Sequence, residues 1–126
     1  MRYMMMIKAT KDYETGLPPS PELMAGMAKL TDEGVKAGAL LASGGLLPSS
    51  AGARIRYSGG KRAVIDGPFV ETKELVGGYA ILEASSKAEA MELANRVVDV
   101  HVNAGVAEFE IEIRPLFHDA SFSPAR

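Results

Sequence analysis

The chain has 126 residues and no cysteine, which suits one folded domain and excludes disulfides, thiolate nucleophiles and sulfur-ligated metal sites. Hydrophobic residues make up 47% and charged residues 24%, the balance of a globular protein and not of a disordered or fibrous one. The formal net charge is −2 and the basic residues are scattered, which argues against a nucleic-acid partner.

The first half of the chain predicts a strand, a loop, a helix and a second strand. Residues 2–8 are an apolar stretch bounded by charges, as in a strand buried on both faces. Residues 9–20 are polar and contain two prolines, which predicts a loop. Ser20 can cap a helix over residues 21–37, with proline at its first position. Residues 40–47 predict a strand with an irregular end at a glycine pair.

The second half begins with a predicted hairpin. Residues 54–57 and 62–66 are β-like and are joined by a Ser-Gly-Gly turn at residues 58–60. The sequence Asp-Gly-Pro at residues 66–68 ends the second arm, and residues 78–84 predict another buried strand.

A second helix and a last strand complete the predicted fold. Ser86 and Glu89 have the spacing of a capping box, and Asn103 or Gly105 can end the helix. Residues 108–114 alternate strictly between apolar and charged side chains, which is typical of a strand with one buried face.

This order of elements predicts an α+β domain of the ferredoxin-like type over residues 1–117, with a frayed tail at residues 118–126. Both helices would pack on one face of an antiparallel sheet. The central strands are apolar on both faces, so the second face would be exposed in a monomer. We therefore expect a homodimer in which two sheets pack face to face and enclose a barrel-like interior.

One block of sequence resembles a known family. Asp66-Gly67-Pro68-Phe69 is followed by Glu-Thr-Lys-Glu at residues 71–74 and by Gly-Gly-Tyr at residues 77–79. This block is similar to the YCII-related family, in particular to its DGPF-motif branch. The opening RYMMMIK, the GGLLP at residues 44–48 and the EIRPL that ends at residue 116 are similar as well.

The resemblance implies a dimeric α+β barrel and gives two directions for function. Some YCII-like members look like lactone-processing or dehalogenating enzymes with a His and an Asp facing a cleft, and the DGPF branch often occurs beside sigma-factor-like regulators. The chain departs from the enzyme-like pattern, because its first long helix contains no histidine and Met27 stands near the aligned position.

Asp66 is one candidate catalytic residue. It follows a strand and precedes a Gly-Pro turn, so its carboxylate could face a cleft and act as a base or anchor a substrate donor. The alternative is a structural aspartate that caps its own turn through backbone hydrogen bonds.

His101 is the other candidate catalytic residue, and it is the only histidine within the predicted fold. A neutral imidazole could shuttle protons near neutral pH. Asp99 cannot assist it, since residues two apart on a helix do not face each other. The alternative is a structural histidine that interacts with the negative end of the helix dipole.

The candidate ligand-binding residues are Gly67, Pro68, Phe69 and Lys73 of the same block. No cofactor is expected, since no phosphate-binding glycine motif occurs. No metal is expected either, because two histidines without cysteine cannot make the usual clusters.

Two functional hypotheses remain open from the sequence. The first is a non-catalytic module that binds a small ligand or a regulatory protein. The second is a cofactor-independent enzyme that acts on a small organic acid or lactone by acid/base chemistry. No apolar run reaches the length of a membrane span and no secretory signal pattern occurs, so we expect a cytoplasmic protein without a membrane partner.

Overall fold

The computed structural model describes residues 1–71 and 74–117. The tail at residues 118–126 and Lys73 lie outside the described residues. The elements follow one another as β1 (Arg2–Lys8), α1 (Lys11–Glu14), α2 (Pro21–Lys36), β2 (Leu40–Gly45), a 3₁₀ turn (Ser49–Ala51), β3 (Ala53–Ser58), β4 (Lys61–Asp66), β5 (Val76–Glu83), α3 (Lys87–Asn103) and β6 (Ile111–Pro115).

Four of the strands form one antiparallel sheet in the order β2-β5-β1-β6. The central strand β1 places Met5 opposite Ala80 of β5 on one side and opposite Ile113 of β6 on the other. The strands β3 and β4 pair only with each other, as a separate two-stranded hairpin. The α+β class predicted from the sequence is confirmed.

The core lies between the sheet and α3. Alternate residues of the two central strands point toward the helices, as the two-residue period of a strand requires. The buried cluster consists of Tyr3, Met5, Ala80 and Leu82 from the sheet, Ala84 just beyond it, and Ala90, Ala94 and Val97 from α3. The helix α3 supplies fully buried residues to this cluster, whereas Met27 and Leu30 of α2 pack against it and are only half-buried.

Both long helices begin where their sequence signals predict. The hydroxyl of Ser20 accepts a hydrogen bond from the backbone N–H of Leu23, and Ser86 does the same for Glu89. The Glu89 carboxylate accepts a hydrogen bond from the Ser85 hydroxyl. The N-terminal boundaries of α2 and α3 were therefore predictable from local chemistry.

Several predicted boundaries were wrong in detail. Strand β2 ends at Gly45 and not at residue 47, and β5 begins at Val76 and not at residue 78. The segment 9–20 is not all loop, because Thr10 caps the short helix α1 by accepting a hydrogen bond from the N–H of Tyr13. The last strand begins at Ile111 and not at residue 108. The hairpin turn has two residues, since Ser58 pairs with Lys61. Gly59 and Gly60 have positive φ angles of 59° and 79°, which suits a tight hairpin turn.

The face of the sheet that carries no helix is apolar in its centre. Met4, Met6, Tyr79 and Ile81 are half-buried and alternate with the core residues along β1 and β5. The central strands are thus apolar on both faces, as predicted. Strand β6 adds charge at one side, where Glu112 lies 3.5 Å from Lys8 and 3.7 Å from Arg114.

Candidate functional site

An open cleft of about 1370 Å³ lies on the helix side of the sheet. It lies between the sheet and the two long helices, beyond the end of the core that Tyr3 and Ala84 fill. Its walls are mostly apolar. They include Met5 and Ile7 from β1, Met27 and Leu30 from α2, and Leu93 and Val97 from α3.

The helix α2 packs on both α3 and β2 and forms one wall of the cleft. A Cβ placed on Gly26 would lie 2.7 Å from Cγ1 of Val100, so glycine permits the close contact between the two helices. No residue of α2 is fully buried. Its apolar stripe of Leu23, Met27 and Leu30 is half-buried and faces the cleft. Met27 and Leu30 also pack against the core cluster, so the amphipathic helix joins the core and supplies an apolar wall to the cleft.

His101 is the buried polar side chain in the wall of this cleft, with 9% of its surface exposed. It lies in the last turn of α3, and its Nδ1 is 2.8 Å from the carbonyl oxygen of Val97. Its ring is stacked on Phe109 with 4.2 Å between centroids and 20° between planes. The histidine is thus held by a helical carbonyl on one side and by an aromatic face on the other.

A second cluster surrounds residues 66–69, which we call the DGPF turn. The backbone N–H of Phe69 donates to the hydroxyl oxygen of Ser49 over 2.9 Å. The Ser49 hydroxyl in turn donates to the carboxylate of Glu14, which also accepts the Ser49 backbone N–H. These bonds fasten the DGPF turn to the 3₁₀ turn and to α1.

Arg54 stabilises the same turn from the hairpin. Its guanidinium lies over the ring of Phe69, 3.9 Å from the centroid, in the geometry of a cation–π contact. The same guanidinium is 3.8 Å from the carboxylate of Glu71. Phe69 is therefore packed against the hairpin and is half-buried.

The structure separates the two candidate catalytic residues. His101 lines the cleft, whereas Asp66 is exposed at the end of β4, opposite Ala53, and is not among the residues that line it. Gly67, Pro68 and Phe69 belong to the DGPF turn and also lie outside the cleft wall. Roles for these residues in catalysis or ligand binding stay predictions.

Sequence reasoning missed the residues that hold these sites together. Phe109 was assigned only to an apolar strand face, and its stacking on His101 depends on how the chain returns after α3. Ser49 and Glu14 carried no recognisable motif, since their partner Phe69 is 20 residues from Ser49 in sequence. The helix α1 did have a signal, because Thr10 is a favourable cap and acidic residues follow it.

Comparison with known proteins assigns the chain to a family. Residues 1–115 match the YCII-related domain. The chain belongs to the YCII-related family. An uncharacterised protein of Rhizobium meliloti (strain 1021) is 37% identical over 82 residues, which are 65% of this chain and 63% of the relative. The match thus covers less than two thirds of the relative's own length. The YCII-related family predicted from the sequence is confirmed by the domain match.

Two further findings concern what the described chain contains. Among residues 1–71 and 74–117, no helix combines the length and the apolar character that a membrane crossing requires. Within the same two ranges, no three side chains of the metal-binding types His, Cys, Asp and Glu come together as a possible metal site.

Proposed function

We propose that this YCII-related protein binds a small, mostly apolar molecule in the cleft between its helices and its sheet. One observation carries the proposal: a cleft of about 1370 Å³ has apolar walls and one buried polar side chain, His101. Ligand sites in proteins combine an apolar lining with a few well-placed polar groups in the same way. The cleft is larger than the roughly 300–1000 Å³ of most ligand pockets, because it is an open cleft and not an enclosed cavity.

Binding is favoured over catalysis by the distribution of the titratable groups. Acid/base chemistry on a lactone or organic acid needs groups that exchange protons with the same substrate. Asp66 is absent from the cleft wall that holds His101, and Lys8 is paired with Glu112. The acidic residues that do line the cleft are all exposed to solvent, and they are Asp12, Glu33, Glu108 and Glu110. The enzymatic alternative therefore has less support, and a regulatory protein partner stays a prediction.

The helix-free face of the sheet supports the homodimer that we propose as the working form. Met4, Met6, Tyr79 and Ile81 make a continuous apolar strip on the two central strands. A strip of this kind is usually covered by another surface. The sheet order β2-β5-β1-β6, with both long helices on the opposite face, supports a ferredoxin-like subunit in a dimeric α+β barrel.

The experiment that tests the cleft uses the neutral fluorescent probe N-phenyl-1-naphthylamine. We expect its emission to rise in the presence of the protein, because the apolar wall excludes water from the bound probe. Met27→Trp should weaken binding by roughly tenfold or more, since the larger ring occupies the cleft.

Ala28→Trp is the matched control on the same helix. Ala28 is exposed and does not line the cleft, so this variant should bind the probe as the wild type does. Circular dichroism checks that both variants are folded. Equal binding by the wild type and Met27→Trp would contradict the cleft as the site.

A further inference from the structure

We infer that the cleft selects ligands that carry a hydroxyl group, because His101 offers a hydrogen-bond acceptor inside an apolar wall. The inference rests on the proposed binding function and names the chemical class of ligand. Three features of His101 support it: the partner of Nδ1, the accessibility of Nε2 and the surroundings of the ring.

The partner of Nδ1 fixes the tautomer of the imidazole. A backbone carbonyl oxygen can only accept a hydrogen bond, so the Nδ1 that lies 2.8 Å from the oxygen of Val97 must carry the proton. In the neutral ring the other nitrogen, Nε2, then has a lone pair and no proton. His101 therefore presents an acceptor at Nε2.

This acceptor is open to a ligand. Among the residues that the structure describes, Nε2 makes no hydrogen bond. In the same part of the chain, every side-chain nitrogen or oxygen that is fully buried has a hydrogen-bond partner, so the unpaired Nε2 must be exposed to solvent. Nε2 is therefore reachable from solvent, although only 9% of the surface of His101 is exposed. His101 is one of the residues that line the cleft, and we take Nε2 as the atom of its ring that a ligand there contacts.

The surroundings make the acceptor selective. Phe109 covers one face of the imidazole, and Val97 and Leu93 are neighbouring apolar parts of the wall. A ligand that displaces water from Nε2 without donating a hydrogen bond leaves this nitrogen unpaired in an apolar environment, which is unfavourable. A carboxylate is disfavoured further, since it has only acceptor oxygens. The charged residues of the wall are of both signs and give a carboxylate no net attraction, with Lys8, Lys11 and Arg96 against Asp12, Glu33, Glu108 and Glu110. A phenol or alcohol with an apolar body can pack against the wall and also donate a hydrogen bond to Nε2.

Three probes of similar shape test the inference: 2-naphthol, 2-methoxynaphthalene and 2-naphthoate. Their affinities are measured by displacement of N-phenyl-1-naphthylamine at about pH 8. We expect 2-naphthol to bind roughly 2- to 10-fold more tightly than its methyl ether, as one neutral hydrogen bond provides. The naphthoate should bind most weakly.

The variant His101→Phe separates the hydrogen bond from the shape of the wall. Phenylalanine keeps an aromatic ring beside Phe109 and removes the acceptor, so the preference for 2-naphthol over the ether should disappear while the ether still binds. The preference in the wild type tests the inference without any variant, should His101→Phe fail to fold.

The possible outcomes distinguish the two proposals. Equal affinities for 2-naphthol and 2-methoxynaphthalene in the wild type, both reduced by Met27→Trp, would overturn the hydroxyl selectivity and leave the cleft as the binding site. Preferential binding of 2-naphthoate would also overturn the selectivity. If N-phenyl-1-naphthylamine binds but none of the three probes displaces it, the inference fails and the proposed function stands. If N-phenyl-1-naphthylamine itself does not bind, both fail.

Discussion

The Cα of Gly67 faces the backbone of Ser49 so closely that a Cβ built on Gly67 would lie 2.6 Å from the Ser49 carbonyl carbon, and nearer still to its oxygen. The glycine of the DGPF turn is therefore required by a contact between two backbones and not by a positive φ angle. We expect Gly67→Ala to destabilise the protein by about 1–3 kcal/mol or more, because neither backbone can yield cheaply. Urea denaturation measures the change.

Gly52→Ala is the matched control for this prediction. A Cβ on Gly52 would lie 3.5 Å from the same Ser49 carbonyl oxygen, which is an ordinary van der Waals distance. Its φ angle of −112° suits any residue, so stability should change by less than about 0.5 kcal/mol. If the two variants lose equal stability, the backbone contact is not the reason for the glycine in the DGPF turn.

The second prediction concerns the hydroxyl of Ser49. Ser49→Ala removes the acceptor of the Phe69 N–H and the donor to Glu14, so an amide in the DGPF turn loses its partner. We expect a loss of about 1–3 kcal/mol, the cost of an unpaired polar group. Amide exchange by NMR should show faster exchange at Phe69.

Ser50→Ala provides the comparison, because Ser50 is adjacent and exposed. It should leave both stability and the exchange of the Phe69 amide unchanged. Slow exchange at Phe69 in Ser49→Ala would show that the amide is protected by something other than the serine hydroxyl.

Local chemistry accounts for the elements that the sequence predicted well. The strand β1 matched its predicted bounds because it is an apolar run between two charged residues. The starts of α2 and α3 matched because Ser20 and Ser86 bond N–H groups only three residues away. Such signals are complete within a few residues, so they can be read without the fold.

The candidate site could not be derived in the same way, because its contacts are distant in sequence. One wall of the cleft is α2, which packs on α3 through a contact between Gly26 and Val100, two residues that are distant in sequence. His101 could be nominated by residue type, but its bond to Val97 and its stacking on Phe109 depend on the helix and the returning chain. Asp66 was also predicted from its residue type and its place before a turn, and it lies at the end of β4 and not in the cleft wall.

The third prediction tests the proposed dimer. Ile81 lies in the apolar strip on the helix-free face, directly opposite Met4. Ile81→Lys places a charge there in both copies, and we expect dissociation to monomers at micromolar concentration, since each buried ammonium costs about 2 kcal/mol or more. Sedimentation velocity measures the oligomeric state.

Ala28→Lys serves as the control, because it adds the same charge on the exposed side of α2. This variant should remain dimeric. A wild-type protein that sediments as a monomer would rule out the dimer without reference to either variant.

The fourth prediction concerns Asp66. Because its exposed carboxylate is not part of the cleft wall, Asp66→Asn should leave the affinity for N-phenyl-1-naphthylamine unchanged within about twofold. His101→Phe should remove the preference for 2-naphthol in the same assay. A loss of probe binding in a well-folded Asp66→Asn protein would bring back the hypothesis that the two residues act together.

The last prediction is the pH response of Glu83 at the end of β5. The Met1 ammonium donates a hydrogen bond of 2.7 Å to its carboxylate and lowers its pKa from 4.5, and Arg2 contributes in the same direction from 3.6 Å. Because the pKa of Glu83 is lower in the folded state than in the unfolded state, its ionised carboxylate stabilises the protein at pH values above the unfolded-state pKa. This stabilisation is lost as the pH falls through the folded-state pKa. The carboxyl resonance of Glu83, followed by NMR, should titrate with a midpoint below 4.5.

Two changes separate the causes of this shift. Acetylation of the N-terminus removes the charge of the Met1 ammonium, so the midpoint should rise most of the way back toward 4.5. Salt at about 1 M, where charges are screened beyond about 3 Å, should raise it by a smaller amount. If acetylation leaves the midpoint unchanged, Arg2 and not the Met1 ammonium holds the carboxylate in its charged form. Arg2→Gln would then raise the midpoint instead.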